Sequence, residues 1–394
     1  MSVLAQPPVE PYLAHDFGVQ EFADRRSAVC AEMRRRGLDA LLVVGPENIY
    51  YLTGLNFQGY FSFTTLLVPR DGPLLLVARE MEHATIAVQA PSCTHVAYGD
   101  DAEPARALLR AVRDATGPGA TVGVELQAMF FPPGVWDQVR AALPNRAWID
   151  ASGLVVQLRA VKSAAELSCI RRAARISDRA VQAGLAAVSS DSTEREVAAA
   201  VYAQLVRGGS EHPGFAPLIR STDILTHEHV TWRDRPLRSG SALLVELSAS
   251  VYRYHAPLTR MLPVDEVDSG TASAAEIACG ALEATRAAMV PGATTGEVHE
   301  VWQGVVDDGL GHRRYRRHHC GYSVGIGFPP SWVGGAVEGI RRGGELRLRE
   351  GMVFHVLSWL LGQRPGDFCV SDTVVVAADG GRFLTRSRRQ PVTE

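Results

Sequence analysis

The sequence predicts two domains, an α/β domain over residues 1–155 and an α+β domain with an internal repeat over residues 156–394. Apolar strand-like runs alternate with amphipathic helices as far as about residue 155, which is the pattern of an α/β domain. The second domain opens at Ser163-Ala-Ala-Glu166, a capping box in which the Ser side chain and the Glu carboxylate each satisfy an orphan amide at a helix start. Two similar series of helices followed by strands come after it.

The elements of the first domain are marked by apolar runs and by glycine and proline. A helix from Phe22 to Gly37 ends at a glycine stop, and the strand Ala40–Val44 follows it. Further strands are predicted at Thr65–Val68 and Pro73–Val77. A helix is predicted from Pro104 to Ala115, because proline suits the first turn of a helix.

The second domain repeats one series of elements. Its first half has helices starting at Ser163 and at Thr193-Glu-Arg-Glu196, with strands from about residue 215. Its second half has helices starting at Ser273-Ala-Ala-Glu276 and Thr294-Thr-Gly-Glu297, with strands from about residue 320. Such pseudo-twofold symmetry usually places an active site between the halves.

The composition is that of a soluble, cytoplasmic, globular protein. With 46% hydrophobic residues, 21% charged residues and a net charge of −3, the chain is close to neutral, which argues against a nucleic-acid partner. No apolar run is long enough for a membrane span, and the N-terminus lacks a signal pattern, so no membrane association is expected. The six cysteines show no CxxC spacing and are predicted to be free, buried thiols.

Glu246 is the strongest candidate for chemistry. It interrupts the apolar run Leu243–Leu247, which should be a central strand, and burial among Leu and Val raises the expected pKa of its carboxyl group. A buried carboxylate with a perturbed pKa suits a general base or a nucleophile. The alternative is a structural carboxylate in an ion pair with an arginine such as Arg260.

Two histidines flank an acid just before that strand, in Thr226-His-Glu-His-Val-Thr-Trp232. Imidazole titrates in the pH range useful for proton transfer, so His229 is predicted to shuttle protons. Metal binding is the weaker interpretation, because His227 and His229 lack the helical i, i+4 spacing that aims two imidazoles at one ion.

Four segments in the second domain resemble, in order and spacing, the four metal-bearing motifs of the pita-bread superfamily, which includes methionine aminopeptidase, prolidase, creatinase and ectoine hydrolase. They are Leu243–Arg260, Cys320–Gly325, Gly351–Trp359 and Phe368–Val374. The resemblance implies a creatinase-like α/β N-terminal domain followed by a pita-bread catalytic domain.

The same resemblance places the five metal-ligand positions of the superfamily on Glu246, Pro257, Tyr322, Leu357 and Ser371. A transition-metal pair needs carboxylate or imidazole donors, and Pro and Leu have no side-chain donor. We therefore expect no metal and no other cofactor.

Three further motifs are similar to the ectoine hydrolase branch: Tyr252-Arg-Tyr-His-Ala-Pro257, Gly321–Trp332 and Met352-Val-Phe-His355. The resemblance implies metal-independent hydrolysis of a C–N bond in a small cyclic amidine or amide. The catalytic residues would be Glu246, His229, Tyr322 and His255. His355, Tyr254, Trp332 and Trp359 would contact the substrate, the two tryptophans as apolar walls.

Several alternatives stay open within the superfamily. An ordinary metal aminopeptidase or prolidase is disfavoured by the ligand positions, whereas a pita-bread enzyme of a specialised pathway, a creatinase-like enzyme and a silent binding protein remain. Creatinase also works without metal, but it keeps a Glu in the third motif, where this chain has Leu357-Ser358, so its guanidinium clamp would be incomplete. The last alternative is a catalytically silent pita-bread protein that binds a ligand or a partner. Such a protein has no evident need for several histidines beside a buried acid.

Two regions outside the motifs bear on the substrate. Relatives use a loop such as Asn56–Phe63 to reach the active site of a second subunit, which implies a homodimer in which Tyr60 and Phe61 close over a small ring. Core packing explains these aromatic residues about equally well. The basic cluster His312–His319 is expected to steer a substrate carboxylate or to form a solvated turn.

Overall fold

The computed structural model describes residues 17–266, 268–311, 315–334, 337–362 and 366–390, without the side chain of Asp223. The chain divides into two compact units, residues 1–159 and 160–394. The division predicted from the sequence lies four residues earlier, and the difference is a short helix, Leu154–Arg159, that ends the first unit.

The first unit contains a mixed six-stranded sheet. Its strands, in the order β4-β3-β2-β1-β5-β6, are β1 (Ala40–Val43), β2 (Thr65–Pro69), β3 (Leu74–Arg79), β4 (Cys93–Tyr98), β5 (Thr121–Val124) and β6 (Ala147–Asp150). Its helices are α1 (Val19–Arg35), α2 (Pro46–Thr53), α3 (His83–Gln89), α4 (Pro104–Ala115), α5 (Pro133–Ala142) and α6 (Leu154–Arg159). The predicted α/β character of this unit is confirmed.

The second unit contains a seven-stranded sheet whose described strand pairs are all antiparallel. They run β10-β11-β12-β9-β8-β7, with β13 pairing with β12, and comprise β7 (Leu218–Ser221), β8 (Ala242–Val251), β9 (Tyr254–Pro263), β10 (Gly321–Ser323), β11 (Val353–Leu360), β12 (Phe368–Ala377) and β13 (Gly380–Phe383). Its helices are α7 (Ala164–Leu185), α8 (Glu194–Arg207), α9 (Ser269–Ala288) and α10 (Thr295–Gly309).

The capping boxes predicted for three of these helices are present. Ser163, Thr193 and Thr294 each accept a hydrogen bond from the backbone three residues on, and the Glu at that position bonds back to the cap. The predicted start of α9 at Ser273 is wrong. The helix begins one turn earlier, because the Asp268 carboxylate accepts hydrogen bonds from the amides of Gly270 and Thr271.

Helices cover the sheet of the second unit in pairs. The pair α7 and α8 packs together, with α7 against β8 and β9, and the pair α9 and α10 packs together, with α9 against β11 and β12. This arrangement repeats one helix-pair motif in each half, as the internal repeat predicts. All six cysteines are free thiols, four of them buried and Cys93 and Cys279 half-buried. In the described part of the chain, no helix is long and apolar enough to cross a membrane.

Candidate active site

Strand register places Glu246 and two other superfamily ligand positions, Ser371 and Leu357, on one row of the sheet. Glu246 on β8 lies opposite Thr259 on β9, Thr259 lies opposite Ser371 on β12, and Ser371 lies opposite Leu357 on β11. Directly opposed residues of an antiparallel pair point to the same face of a sheet. Tyr322, on the short edge strand β10, lies opposite His355 of β11.

Glu246 is a buried carboxylate without a direct partner. It is 3% exposed, and within the described residues it makes neither a hydrogen bond nor an ion pair. Burial raises the pKa of Glu246 to about 7, against the opposing effect of the Arg220 charge. The ion pair with Arg260 that the alternative interpretation requires is not formed, because Arg260 binds Asp372 at 2.9 Å.

A hydrogen-bonded chain of four side chains crosses the same face. His355 Nδ1 lies 2.8 Å from the Tyr322 hydroxyl, and His355 Nε2 lies 2.6 Å from Ser371 Oγ. The Ser371 hydroxyl in turn donates to Thr259 Oγ1 at 2.7 Å. Trp332 Nε1 donates to the Tyr322 hydroxyl at 3.1 Å, which fixes the other side of the phenol.

Burial keeps the rings of His355 and Tyr322 uncharged at neutral pH. Burial lowers the pKa of His355 to about 3, with a smaller contribution from nearby His319. Burial also raises the pKa of Tyr322 above its usual value, and the charge of Glu246 raises it further. A neutral imidazole bonded to a neutral phenol can pass protons along its hydrogen bonds without holding a net charge.

Aromatic rings connect the hydrogen-bonded side chains around Tyr322 to His229. The Phe215 ring lies edge-on to Trp332 with centroids 4.8 Å apart and stacks on His229 at 6.2 Å. His229 is exposed and adopts a left-handed backbone, with φ 56°. Gly214 and Gly327 lie so close to the backbone of residues 331 and 332 that a Cβ atom at either position would clash with it.

His255 and Tyr254 lie outside the chain of hydrogen bonds around Tyr322. His255 Nδ1 donates to the Arg253 carbonyl and His255 Nε2 accepts from the Gly214 amide, both at 2.9 Å. Burial lowers the pKa of His255 well below its usual value, so the ring is neutral with both nitrogens occupied. The Tyr254 hydroxyl donates to Glu166 at 2.7 Å.

Trp359 does not form the simple apolar wall that the sequence predicts. The Arg317 guanidinium lies 4.5 Å from its ring centroid, and the Arg220 guanidinium lies 6.0 Å away. The Trp359 Nε1 atom is buried and has no hydrogen-bond acceptor among the described residues. Both arginines lower the pKa of Glu246, after the dominant effect of burial, so Trp359 lies beside the charged end of the site.

Tyr60 and Phe61 belong to the first unit, in a single helical turn at residues 59–61. Tyr60 is buried and packs edge-on against Phe130, with centroids 5.4 Å apart. Phe61 is 74% exposed, and its described neighbour is the Arg79 guanidinium at 5.7 Å. The two neighbouring aromatic residues therefore differ, one packed in the core and one facing outward.

Four functional candidates were not identified individually from the sequence. Arg220 and Arg317 act electrostatically on Glu246, Phe215 joins Trp332 to His229, and the His319 ring lies 5.7 Å from Tyr322. Burial lowers the pKa of His319 to about 4. Arg220 could have been found from the sequence, because it is a charged residue inside an apolar run. Arg317 and His319 belong to the predicted basic cluster, whose residues 312–314 lie outside the described part.

The residues at the five superfamily ligand positions are poor donors for a pair of transition metals. Pro257 and Leu357 have no side-chain donor, and the hydroxyl groups of Tyr322 and Ser371 are already bonded to His355. Among the described residues, no three His, Cys, Asp or Glu side chains converge as a metal would require. These residues therefore do not fit a pair of transition metals.

Comparison with known proteins agrees with this architecture. The signature of metallopeptidase family M24 matches residues 168–378, and that of the creatinase/prolidase N-terminal domain matches residues 25–161. The chain is 25% identical to the ectoine hydrolase of Halomonas elongata over 392 residues, covering 95% of this chain and 97% of the relative. It is 27% identical to the Xaa-Pro dipeptidase of Pyrococcus furiosus over 359 residues, covering 91% and 96%.

The fold is also similar to that of a solved prolidase from Thermococcus sibiricus. The TM-score is 0.83 at 21% identity, and the alignment covers 95% of this chain and all of that one. The two-unit architecture, with a pita-bread fold in the second unit, is therefore shared with these proteins.

Proposed function

The chain belongs to metallopeptidase family M24, and on that premise we propose that it is a metal-independent hydrolase acting on a small metabolite. The bond cleaved is a C–N bond of a cyclic amidine, an amide or a guanidino group. The named relatives are hydrolases, one of ectoine and one of Xaa-Pro dipeptides. The side chains on the sheet face fit a pair of metals poorly, which favours ectoine-type hydrolysis over metal-dependent peptide cleavage.

One arrangement supports the proposal above all. The unpaired carboxylate of Glu246 and the hydrogen-bonded phenol of Tyr322 belong to the same face of the sheet, and the Glu246 charge raises the pKa of Tyr322. A carboxylate with a pKa of about 7 is matched to accepting a proton at neutral pH. The phenol of Tyr322 keeps its proton at neutral pH, and its hydrogen bond to His355 holds it in place to give that proton to a leaving nitrogen.

These two groups suffice for a balanced hydrolysis of an amidinium ion. Water forms a bond to the amidinium carbon, which is already electrophilic, and Glu246 takes one water proton. The leaving nitrogen takes a proton from Tyr322, and the new hydroxyl returns one to Tyr322 as the carbonyl forms. The proton on Glu246 leaves with the amine, so the products are an amide and an ammonium ion.

The histidines have different parts in this mechanism. His355 holds the phenol of Tyr322 in place and relays protons between it and Ser371. His229, exposed beyond the ring of Phe215, exchanges protons with solvent. His255 is a positioning residue, because its ring holds the Gly214 amide and so the start of the segment that carries Phe215.

The proposal includes a cytoplasmic homodimer. The 74% exposed ring of Phe61 is suited to contacting a second subunit, and we propose that it reaches the site of that subunit. Light scattering of the purified protein tests the dimer. Restored activity in a mixture of Phe61→Ala and Glu246→Gln proteins tests the sharing of residues between subunits.

The central experiment offers the purified, chelator-treated protein three substrates: ectoine, creatine and an Xaa-Pro dipeptide. We expect ring opening of the cyclic amidine, detected by mass spectrometry, at a rate unaffected by chelator. Glu246→Gln should abolish it while the protein remains folded. Cleavage of the dipeptide alone, restored by a divalent metal, would show a peptidase. Ligand binding without turnover would show a silent binding protein.

A further inference from the structure

Arg220 is a buried cation with an incomplete set of hydrogen bonds. Its side chain is fully buried on β7, and Nη1 donates to the His227 carbonyl. The other two nitrogens, Nε and Nη2, are buried and have no acceptor among the described residues. Buried donors without acceptors are costly, so a guanidinium in this state indicates a missing partner.

The two unpartnered atoms form one edge of the guanidinium plane. Their N–H bonds are parallel and match the spacing of the two oxygens of a carboxylate, the geometry of a bidentate pair. Arg260, the other buried arginine of the sheet, differs in this respect. It uses both terminal nitrogens on acceptors that include Asp372 and the Ser371 carbonyl, which leaves only Nε without a partner.

The free edge belongs to the same end of the sheet as Glu246. Leu218 of β7 lies opposite Glu246, and Arg220 is two residues further along β7 on the same face. Diagonal neighbours of this kind are roughly 7–8 Å apart, within reach of long side chains. Glu246 is not the missing acceptor, since the two groups form neither an ion pair nor a hydrogen bond.

The balance of local charges is compatible with one singly charged anion at Arg220. Arg317 is neutralised by Glu228, at 2.8 Å, whereas Arg220 has no such partner in the described part of the chain. Two acidic side chains act on this region, and they would oppose a doubly charged phosphate. A single carboxylate compensates Arg220 without excess negative charge.

We propose that Arg220 binds the carboxylate of the substrate through its Nε and Nη2 edge, so that the substrate is a carboxylate-bearing cyclic amidine or amide of amino-acid type. Arg220 on β7 then holds the substrate carboxylate, and the reacting carbon lies near Glu246 on the neighbouring strand β8. This assignment of the substrate class rests on the proposed hydrolase function, whereas the anion site itself does not.

The first arm of the test does not depend on the reaction. Crystals of the wild-type protein soaked in sodium bromide should show an anomalous bromide peak at the free edge of Arg220. The peak should be absent in Arg220→Met. Occupation of that edge by water alone, or by a protein acceptor, would overturn the anion site even if the protein hydrolyses cyclic amidines.

The second arm identifies the substrate group. Calorimetry in the inactive Glu246→Gln background compares ectoine with the same ring lacking its carboxylate. Arg220→Met should weaken ectoine binding about 10- to 100-fold and change binding of the bare ring less than about threefold, as expected for loss of a charged hydrogen-bonded pair. Arg220→Lys keeps the positive charge but cannot form the bidentate pair, so its affinity for ectoine should lie between those of the Arg220 protein and Arg220→Met.

Arg207→Met, in the exposed last turn of α8, controls for the loss of one positive charge and should leave both affinities unchanged. Equal weakening of both ligands by Arg220→Met would contradict the carboxylate assignment. A bromide peak without binding of either ring would refute the cyclic amidine class and leave the anion site intact. The two failures are therefore distinguishable.

Discussion

The imidazole of His355 joins the Tyr322 hydroxyl, 2.8 Å from Nδ1, to the Ser371 hydroxyl, 2.6 Å from Nε2. Because a neutral imidazole has one donor and one acceptor, this chain has two proton arrangements. In one, Tyr322 donates to His355, His355 donates to Ser371 and Ser371 donates to Thr259. In the other, His355 donates to Tyr322, which frees the phenol proton for a substrate, and the Ser371 proton turns from Thr259 to His355. The four side chains thus form a relay whose state a ligand can set.

Removal of the phenol hydroxyl tests this relay. Tyr322→Phe should lower kcat about 10²- to 10⁴-fold, the usual contribution of a general acid, with a smaller change in KM. Steady-state kinetics on the substrate identified above give the measurement. Tyr98→Phe, which removes a buried phenol hydroxyl that donates to the Phe63 carbonyl in the first unit, is the matched control and should keep kcat. Similar losses in both variants would contradict the role of Tyr322.

Glu246→Gln should stabilise the fold while it removes activity. The pKa of this carboxyl rises from 4.5 to about 7 on folding, so the native state binds more protons between these values and stability falls as pH rises through them. The variant loses that penalty, which amounts to about 3 kcal/mol above pH 7. Urea unfolding at pH 8 and at pH 4 measures it. An advantage for the variant that does not grow with pH would contradict the buried, ionisable state of Glu246.

The pH dependence of kcat/KM should report the same carboxyl group. Because the base must be ionised, the rate should rise with pH through about 7. The charge of Glu228 raises the pKa of Glu246, and that of Arg317 lowers it. The rise of kcat/KM should therefore occur at lower pH in Glu228→Gln and at higher pH in Arg317→Met. A shift in the same direction for both variants would show that another group controls the rise.

Substitution of His255 should lower stability much more than substitution of His229. His255→Ala removes the acceptor of the buried Gly214 amide and one hydrogen bond to the Arg253 carbonyl, and it leaves a cavity, so it should cost about 3 kcal/mol of unfolding free energy. His229→Asn keeps a residue that tolerates the left-handed backbone and should change stability by less than about 0.5 kcal/mol. Urea midpoints give both values. A proton-exchange role for His229 predicts a lower kcat that added imidazole restores in part.

Much of the architecture was predictable from local signals. The capping boxes at Ser163, Thr193 and Thr294 each encode a helix start within four residues of sequence, and three such starts are observed. The start of α9 was missed because Asp268 caps it through a different local pattern. Glu246 was identified because a charged residue inside an apolar strand is visible in the sequence without knowledge of its neighbours.

The pairing of side chains was much harder to predict. The position of Arg220 relative to Glu246 depends on the register of β7 against β8, and one sequence does not reveal which residues of two strands lie opposite. The contact of His255 with Gly214 joins positions far apart in the chain. For the same reason the motif resemblance grouped His255 with Tyr322, although the His255 ring bonds to the Arg253 carbonyl and the Tyr322 hydroxyl bonds to His355.

The close approach of Gly214 and Gly327 to the backbone at Trp332 limits how this site can be redesigned. Any larger residue at either glycine would displace the main chain that presents the indole, and with it the hydrogen bond to Tyr322. Engineers who wish to admit a bulkier ring should therefore trim the side chain of Phe215 and leave both glycines untouched.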